Sequence, residues 1–175
     1  MIALALASCG TQGPAPKLAY RVARTEIDLG DTWWTTPEIP AVPLSILNLS
    51  EQTLLVTPLR FDGDGAGPLT WRDFLDYTEV RPGDSASVWV TLAADGTGWR
   101  SGAGAAELVV EVGVAWNDPA DFDVAPQWFG DELVVPVSYT IDCDLDDDGL
   151  DAAFCGGDDC DDAGGGFDTG SGPCG

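Results

Sequence analysis

From residue 18 to residue 141 apolar and polar residues alternate in short runs broken by glycine, proline and aspartate. Alternation of this kind marks half-buried strands, because successive side chains on a strand face opposite sides of the sheet. Ala86, Val88, Val90 and Leu92 point one way while Ser87, Trp89 and Thr91 point the other. Leu108, Val110, Val112, Val114 and Trp116 repeat the pattern opposite Glu107 and Glu111, and Leu133, Val135, Val137, Tyr139 and Ile141 share one face of a further strand. Earlier strands are expected over 23–29, 42–49 and 54–61. No amphipathic helix is legible; residues 71–77 suit at most a short helical turn, and Asp62, Gly63, Asp64 and Gly65 suit a tight loop, since Asp and Gly are turn formers.

Six or seven short strands separated by turn signals predict an all-β fold, an antiparallel sandwich of immunoglobulin type. At 175 residues the chain has room for one such core and little more. Three stretches give this reading a family likeness: Glu26-Ile-Asp-Leu-Gly-Asp31, Ser45-Ile-Leu-Asn-Leu49 and Val80-Arg-Pro-Gly-Asp-Ser-Ala-Ser-Val-Trp-Val-Thr-Leu92. In this order they resemble the ASH-type domains, also called choice-of-anchor D repeats, in which a strand ending in Gly, a strand closing on Asn and a Pro-Gly turn before a Ser/Val strand recur. The resemblance covers most of the body and implies a non-catalytic interaction or spacer domain. The tryptophan-rich run Thr32-Trp33-Trp34-Thr35 and the insert 117–130 depart from the family pattern.

Charge narrows the partners. Thirty acidic residues against seven basic ones give a net charge of -23, with no histidine. Such a chain repels nucleic acid and anionic lipid alike, so a membrane contact has to come from a covalent lipid or a buried helix. Without histidine a nucleophile would have to use a carboxylate or Lys17 as its base, and Lys17 falls in a linker. A carboxylate pair flanking a sugar cleft would suffice for glycoside hydrolysis, but no spacing in the body singles one out.

The N-terminus supplies a route to the membrane. Ile2 to Ala7 is an apolar run, far shorter than the roughly 18 residues of a spanning helix, and it ends in Leu6-Ala7-Ser8-Cys9. This resembles the lipobox of bacterial lipoproteins, in which cleavage before the cysteine leaves it lipidated and N-terminal. The likeness implies a signal peptide over 1–8, lipidation at Cys9 and a location in the cell envelope, at the outer membrane or cell surface. The run carries no preceding Lys or Arg and is shorter than an ordinary signal core. Gly10 to Pro16 is uncharged and rich in Gly and Pro, as suits a linker over 9–17.

Seven tryptophans are the other compositional feature. Strand parity places Trp116 inside. Trp89 faces away from the core, and Trp33, Trp34, Trp99 and Trp128 fall in loops or at strand ends, where exposed rings would offer a stacking surface for sugars or a patch for a protein. The alternative is that each ring packs under its own loop.

The tail, 142–175, differs in composition. Eleven carboxylates lie between Asp142 and Asp168, whereas all seven basic residues precede Trp116. Asp144, Asp146 and Asp148 stand in a D-x-D-x-D-G order ending at Gly149, which is calcium-loop chemistry: hard oxygens converge on one ion where glycine permits a sharp turn. Two carboxylates about 4 Å apart repel by roughly 4 kcal/mol at an effective dielectric of 20, so a compact loop needs a cation. An EF-hand is excluded, because Cys155 occupies the place of its bidentate glutamate. The continuation through Gly156-Gly-Asp-Asp-Cys-Asp-Asp162 resembles metal-binding repeats of myxobacterial surface proteins. That likeness implies oxygens from Asp144, Asp146, Asp148, Asp159, Asp161 and Asp162, with the Leu150 carbonyl. Cys143, Cys155, Cys160 and Cys174 read as two disulfides outside the cytosol, with three connectivities open. Zinc is a weaker rival, since neither a C-x-x-C pair nor a histidine is present.

The sequence therefore predicts an immunoglobulin-like antiparallel β-sandwich over 18–141 and an acidic tail over 142–175 that is either disordered or ordered by calcium. The expected whole is a non-catalytic surface lipoprotein that binds an unidentified protein or polysaccharide. A carbohydrate-binding module and a carboxylate-pair hydrolase are the alternatives.

Overall fold

The computed structural model describes residues 17–33, 38–72, 74, 77–116, 127–144 and 151–157. Nine strands follow in chain order: β1 (Tyr20–Val22), β2 (Ile27–Trp33), β3 (Ala41–Asn48), β4 (Leu54–Asp62), β5 (Leu69–Arg72), β6 (Thr78–Val80), β7 (Ser85–Leu92), β8 (Gly102–Trp116) and β9 (Gln127–Asp142). They form a four-stranded sheet in the order β1-β3-β7-β5 and a five-stranded sheet in the order β2-β9-β8-β4-β6. One sheet thus carries the first, second, fifth and fourth positions of an immunoglobulin sandwich and the other carries the third, sixth and seventh. The expected fold class is what forms.

Alternation explains the packing. Leu44 and Ile46 of β3 and Val88, Val90 and Leu92 of β7 face Leu54 and Val56 of β4, Leu108, Val110 and Val112 of β8 and Val135, Val137 and Ile141 of β9, every one of them buried in a single cluster. Immunoglobulin domains often tie their sheets with a buried disulfide; here branched aliphatic side chains fill the space between the sheets, and such shapes pack well on a pleated surface.

Two features go beyond the alternation. β2 runs parallel to β9, with Ile27 opposite Val137 and Trp33 opposite Asp142, while the other pairs are antiparallel. The expected strand 23–29 is displaced: the chain leaves β1, crosses to the other sheet and continues to Trp33 through a bulge between Asp28 and Asp31. Gly30 sits in that bulge with φ +69°, a conformation other residues seldom adopt, and its N–H donates to Asp28 Oδ1 at 2.9 Å. The second feature lies at 69–80; of the span 71–77 that suited at most a helical turn, residues 71–72 are strand and residues 73, 75 and 76 lie outside the described residues. Residues 69–72 pair with β7 in one sheet and residues 78–80 with β4 in the other. Strands of four and three residues are too short to show a period, so only pairing defines them.

The Asn and Pro-Gly of the family likeness have structural work. Arg81, Pro82, Gly83 and Asp84 make a turn closed by Asp84 N–H to Arg81 O at 3.0 Å, with Gly83 at φ +83°; proline then glycine suits a type II turn. Asn48, fully buried, donates through Nδ2 to Gln52 O at 2.7 Å and to Val80 O at 2.8 Å, while its Oδ1 accepts from Ser50 N at 2.8 Å. One side chain thereby joins the end of β3 to the end of β6, across the two sheets.

Candidate functional site

Three regions concentrate polar chemistry: the two outer faces of the sandwich and the end where the tail meets the β7–β8 loop.

The outer face of the five-stranded sheet is acidic. Asp28 and Asp31 of β2, Glu132 of β9, Glu107 and Glu111 of β8, Asp62 of β4 and Glu79 of β6 all fall on the outward parity. Glu111 stands directly opposite Glu132, and Glu107 directly opposite Asp62, arrangements that cost stability through like-charge repulsion. Arg60 relieves part of this: its Nε lies 2.9 Å from Asp62 Oδ2 and its Nη1 3.7 Å from Glu132 Oε1. Val109, cross-strand from Arg60, is 2% exposed although it faces outward, as a covering arginine stem produces.

The outer face of the four-stranded sheet is different. Its outward positions come in cross-strand rows: Arg21, Leu47 and Ser85; Ser45 and Ser87; Pro43, Trp89 and Arg72; Ala41, Thr91 and Thr70. Ser45 and Ser87 share a hydrogen bond of 2.7 Å between their hydroxyls, and Thr91 Oγ1 donates to Pro40 O at 2.9 Å. Half-buried Trp89 sits mid-face, as its parity requires, and both Arg72 and Arg21 are exposed.

At the end of the sandwich, the chain after β9 folds back on the β7–β8 loop. Cys143 and Cys155 form a disulfide; both are buried within the core cluster. The Cys143 N–H donates to Ser101 Oγ at 3.0 Å, Ser101 Oγ in turn donates to Asp151 Oδ1 at 2.5 Å, and Ala152 N–H donates to Cys143 O at 2.8 Å. Phe154 stands edge-on to Trp99 with ring centroids 5.7 Å apart. Of the two readings open for Trp99, an exposed ring or one packed under its loop, the structure has the second: Trp99 is 3% exposed. The sequence shows a tryptophan in a Gly-rich loop but not that Phe154, 55 positions later, comes to cover it. The indole Nε1 is buried without a hydrogen-bond partner among the described residues. Gly96, at φ +74°, lies under the Phe154 ring, where a Cβ would come within 2.6 Å of it.

The remaining sequence-predicted residues divide as follows. Trp33, at the end of β2, is 46% exposed and belongs to the opposite sheet from Trp89, so the two make no common platform. Asp144 is described, its N–H donating to Asp142 Oδ1 at 3.1 Å. Cys9, Trp34, Asp146, Asp148, Leu150, Asp159, Cys160, Asp161, Asp162 and Cys174 lie outside the described residues, as do the side chains of Trp116 and Trp128. No group of three or more metal-ligating side chains occurs among the described residues, and no helix among them is long and apolar enough to cross a membrane.

Two clefts open at this end. One, about 640 Å³, is bounded by Asp64, Arg100 and Ser101, with Gly65, Gly104 and Tyr139 at its floor. The Tyr139 hydroxyl donates to Gly65 O at 2.8 Å, and burial raises its pKa above 10.0. The other, about 530 Å³, is lined by Trp99, Phe154, Asp95 and Asp151. A hydrolase acid needs a raised pKa, whereas hydrogen bonds from the Thr97 side chain and backbone hold Asp95 below its ordinary value. Tyr20, by contrast, is raised first by burial and then by the Asp131 carboxylate.

The class these features define is an immunoglobulin-like sandwich with chemically opposed faces. No family model and no curated protein sequence matches the chain. Among solved structures it is similar to the YadV chaperone, at 13% identity and a TM-score of 0.49 over 76% of this chain and 54% of that one. It is also similar to the Salmonella enterica SafA pilin in complex with the SafB chaperone, at 10% identity and a TM-score of 0.49 over 77% and 58%. A third likeness is to the ASH/PapD-like domain 7 of human CEP192, at 12% identity and a TM-score of 0.40 over 81% and 96%. The chain spans just over half the length of the first two.

Proposed function

We propose that this protein is a non-catalytic interaction module of the cell envelope, anchored through lipid on Cys9, with a C-terminal tail that binds calcium. The observation that carries the interaction reading is the allocation of polar groups. The interior is one apolar cluster whose buried polar side chains, Asn48 foremost, are uncharged, and the described cleft that brings Asp95 and Asp151 together holds Asp95 more acidic than usual. Chemistry is therefore displayed on the outer faces, where partners dock.

The calcium reading draws support from the disulfide. Cys143 and Cys155 bracket the D-x-D-x-D-G run, so a segment with few apolar residues of its own begins and ends at points held by the core. Closing such a loop lowers the entropy that calcium binding would otherwise have to overcome. Asp144, Asp146, Asp148, Asp159, Asp161, Asp162 and the Leu150 carbonyl are the proposed ligands.

Intact mass of protein extracted from membranes tests the anchor: a chain beginning at a diacylglyceryl-modified Cys9 is expected, and an unmodified mature N-terminus elsewhere refutes it. Calcium titration of the full chain under limited proteolysis tests the tail. Protection of 142–175 at millimolar calcium is expected, and cleavage indifferent to calcium refutes that part alone.

A further inference from the structure

The faces of the sandwich differ in sign, although the chain as a whole is strongly acidic. Outward positions on the five-stranded sheet carry carboxylates on every strand and one arginine, Arg60. Outward positions on the four-stranded sheet carry Arg21 and Arg72 and, among the described residues, no carboxylate. With 30 acids against seven bases, a face clear of acids across four strands is a departure that neither folding nor solubility requires. A solvated β surface tolerates Asp and Glu, as the other sheet demonstrates.

The composition of this face is specific. Trp89 lies half-buried between Pro43 on one neighbouring strand and Arg72 on the other. Neighbouring strands are about 4.8 Å apart, so this row offers a flat apolar strip about 10 Å wide that ends in a guanidinium. The hydroxyls of Ser45 and Ser87 form the next row on one side, and on the other Thr70 flanks Thr91, which is buried. From Thr91 to Ser85 the face extends about 20 Å at roughly 3.4 Å per residue, with Arg21 at its far end. An indole face stacks on the C–H face of a sugar ring, hydroxyls exchange hydrogen bonds with sugar hydroxyls, and a guanidinium pairs a carboxylate in bidentate fashion.

We propose that this face binds a carboxylate-bearing polysaccharide, a uronic-acid polymer, with Trp89 as the stacking residue and Arg72 and Arg21 as carboxylate receptors. The inference rests on the interaction-module reading and supplies its partner class. Charge complementarity is local. The acidic face lies across a sandwich whose sheets are about 10 Å apart, and beyond the Debye length of about 8 Å at 0.15 M salt its field is screened. At 0.01 M, where that length is about 30 Å, the whole chain repels the polymer. Affinity is therefore expected to rise between these two salt concentrations and to fall above them as the arginine contacts themselves are screened.

Affinity electrophoresis of the full chain in gels containing polygalacturonate, alginate or methyl-esterified polygalacturonate tests this. Retardation by one of the two acidic polymers is expected, about tenfold weaker for Arg72→Gln and for Trp89→Ala and for the esterified polymer, and unchanged for Arg60→Gln on the opposite face. Arg72 is exposed, so its variant reports even if Trp89→Ala unfolds. Retardation by neither acidic polymer overturns the proposal, as does equal retardation by the esterified form, which makes the ligand neutral. Equal loss in Arg60→Gln overturns it too, as does concentration-dependent self-association abolished by Arg72→Gln, which makes a second copy the occupant. None of these outcomes bears on the mass of the Cys9 species or on whether the chain binds a protein.

Discussion

Replacing Gly104 by alanine tests the packing beneath the larger cleft. Gly104 lies on β8 directly opposite Tyr139 of β9, and a Cβ there would overlap the Tyr139 ring at Cζ, the hydroxyl and Cε2. The ring is 7% exposed and its hydroxyl holds Gly65 O at 2.8 Å, so it fills a slot that the missing side chain leaves open. Gly65 is itself pressed on the strand, since a Cβ would approach Ala105 N to 2.6 Å. In the variant the ring has to leave. The lost hydrogen bond is worth about 1 kcal/mol. Re-exposing part of an aromatic side chain that buries some 150–250 Å² removes a further ~2–3 kcal/mol at about 25 cal/mol per Å². Against this, alanine within a strand is favoured over glycine by roughly 0.5–1 kcal/mol. The net expectation is a loss of about 2–4 kcal/mol, read as a drop of roughly 1–2 M in the urea midpoint for a domain of this size. The double variant Gly104→Ala/Tyr139→Ala isolates the cause. With the ring gone the methyl fits the vacated slot, so Gly104→Ala becomes neutral or slightly stabilising in that background and the coupling exceeds about 2 kcal/mol. Additive costs, agreeing within about 0.5 kcal/mol, would refute the argument.

Three further outcomes are expected. Asn48→Ala strips the hydrogen bonds from Val80 O, Gln52 O and Ser50 N and lowers unfolding free energy by about 2–4 kcal/mol; Asn48→Asp, which sets an acceptor against two carbonyls, is worse, and a wild-type midpoint for either removes Asn48 from its role. Tyr139 and Tyr20 have pKa values raised above 10.0 in the folded chain, so their contribution is present below the unfolded value of about 10 and lost as pH rises through the folded ones. Unfolding midpoints should fall on the alkaline side, less steeply in Tyr139→Phe, and an identical slope would contradict the burial of that hydroxyl. Phe154→Ala removes the edge-on contact with Trp99, lowering stability by about 1 kcal/mol and shifting tryptophan emission to the red; an unchanged spectrum would mean that the tail does not cover the indole.

Much of the fold was legible because burial of one sheet face writes itself locally. On β7 and β8 the alternation of Ala86–Leu92 and Leu108–Val114 names the core side chains directly, and each is buried. Asn48 and Pro82-Gly83 were legible as motif positions, although their purpose, a clip between sheets and a tight turn, needed the pairing. The parity of Trp89 likewise set it outside the core, but its neighbours Pro43 and Arg72 come from strands distant in the chain, and no window of sequence contains them together. For Trp99 the sequence left both readings open for the same reason: a ring in a loop is exposed or covered according to what returns over it, and Phe154 returns.

By itself, then, the sequence determined the period of the strands, the residues that face the core, the excess of acid and the clustering of the other four cysteines beyond β9. Those properties depend on neighbours one to four positions away, through backbone geometry and solvation. Tertiary structure alone decided that β2 runs parallel to β9, that 69–72 and 78–80 serve different sheets, that Cys143 pairs with Cys155, and that the arginines Arg21 and Arg72 share one face that bears no carboxylate among the described residues while carboxylates share the other. These are matters of register and edge choice, set by the summed burial of both sheets rather than by any local preference.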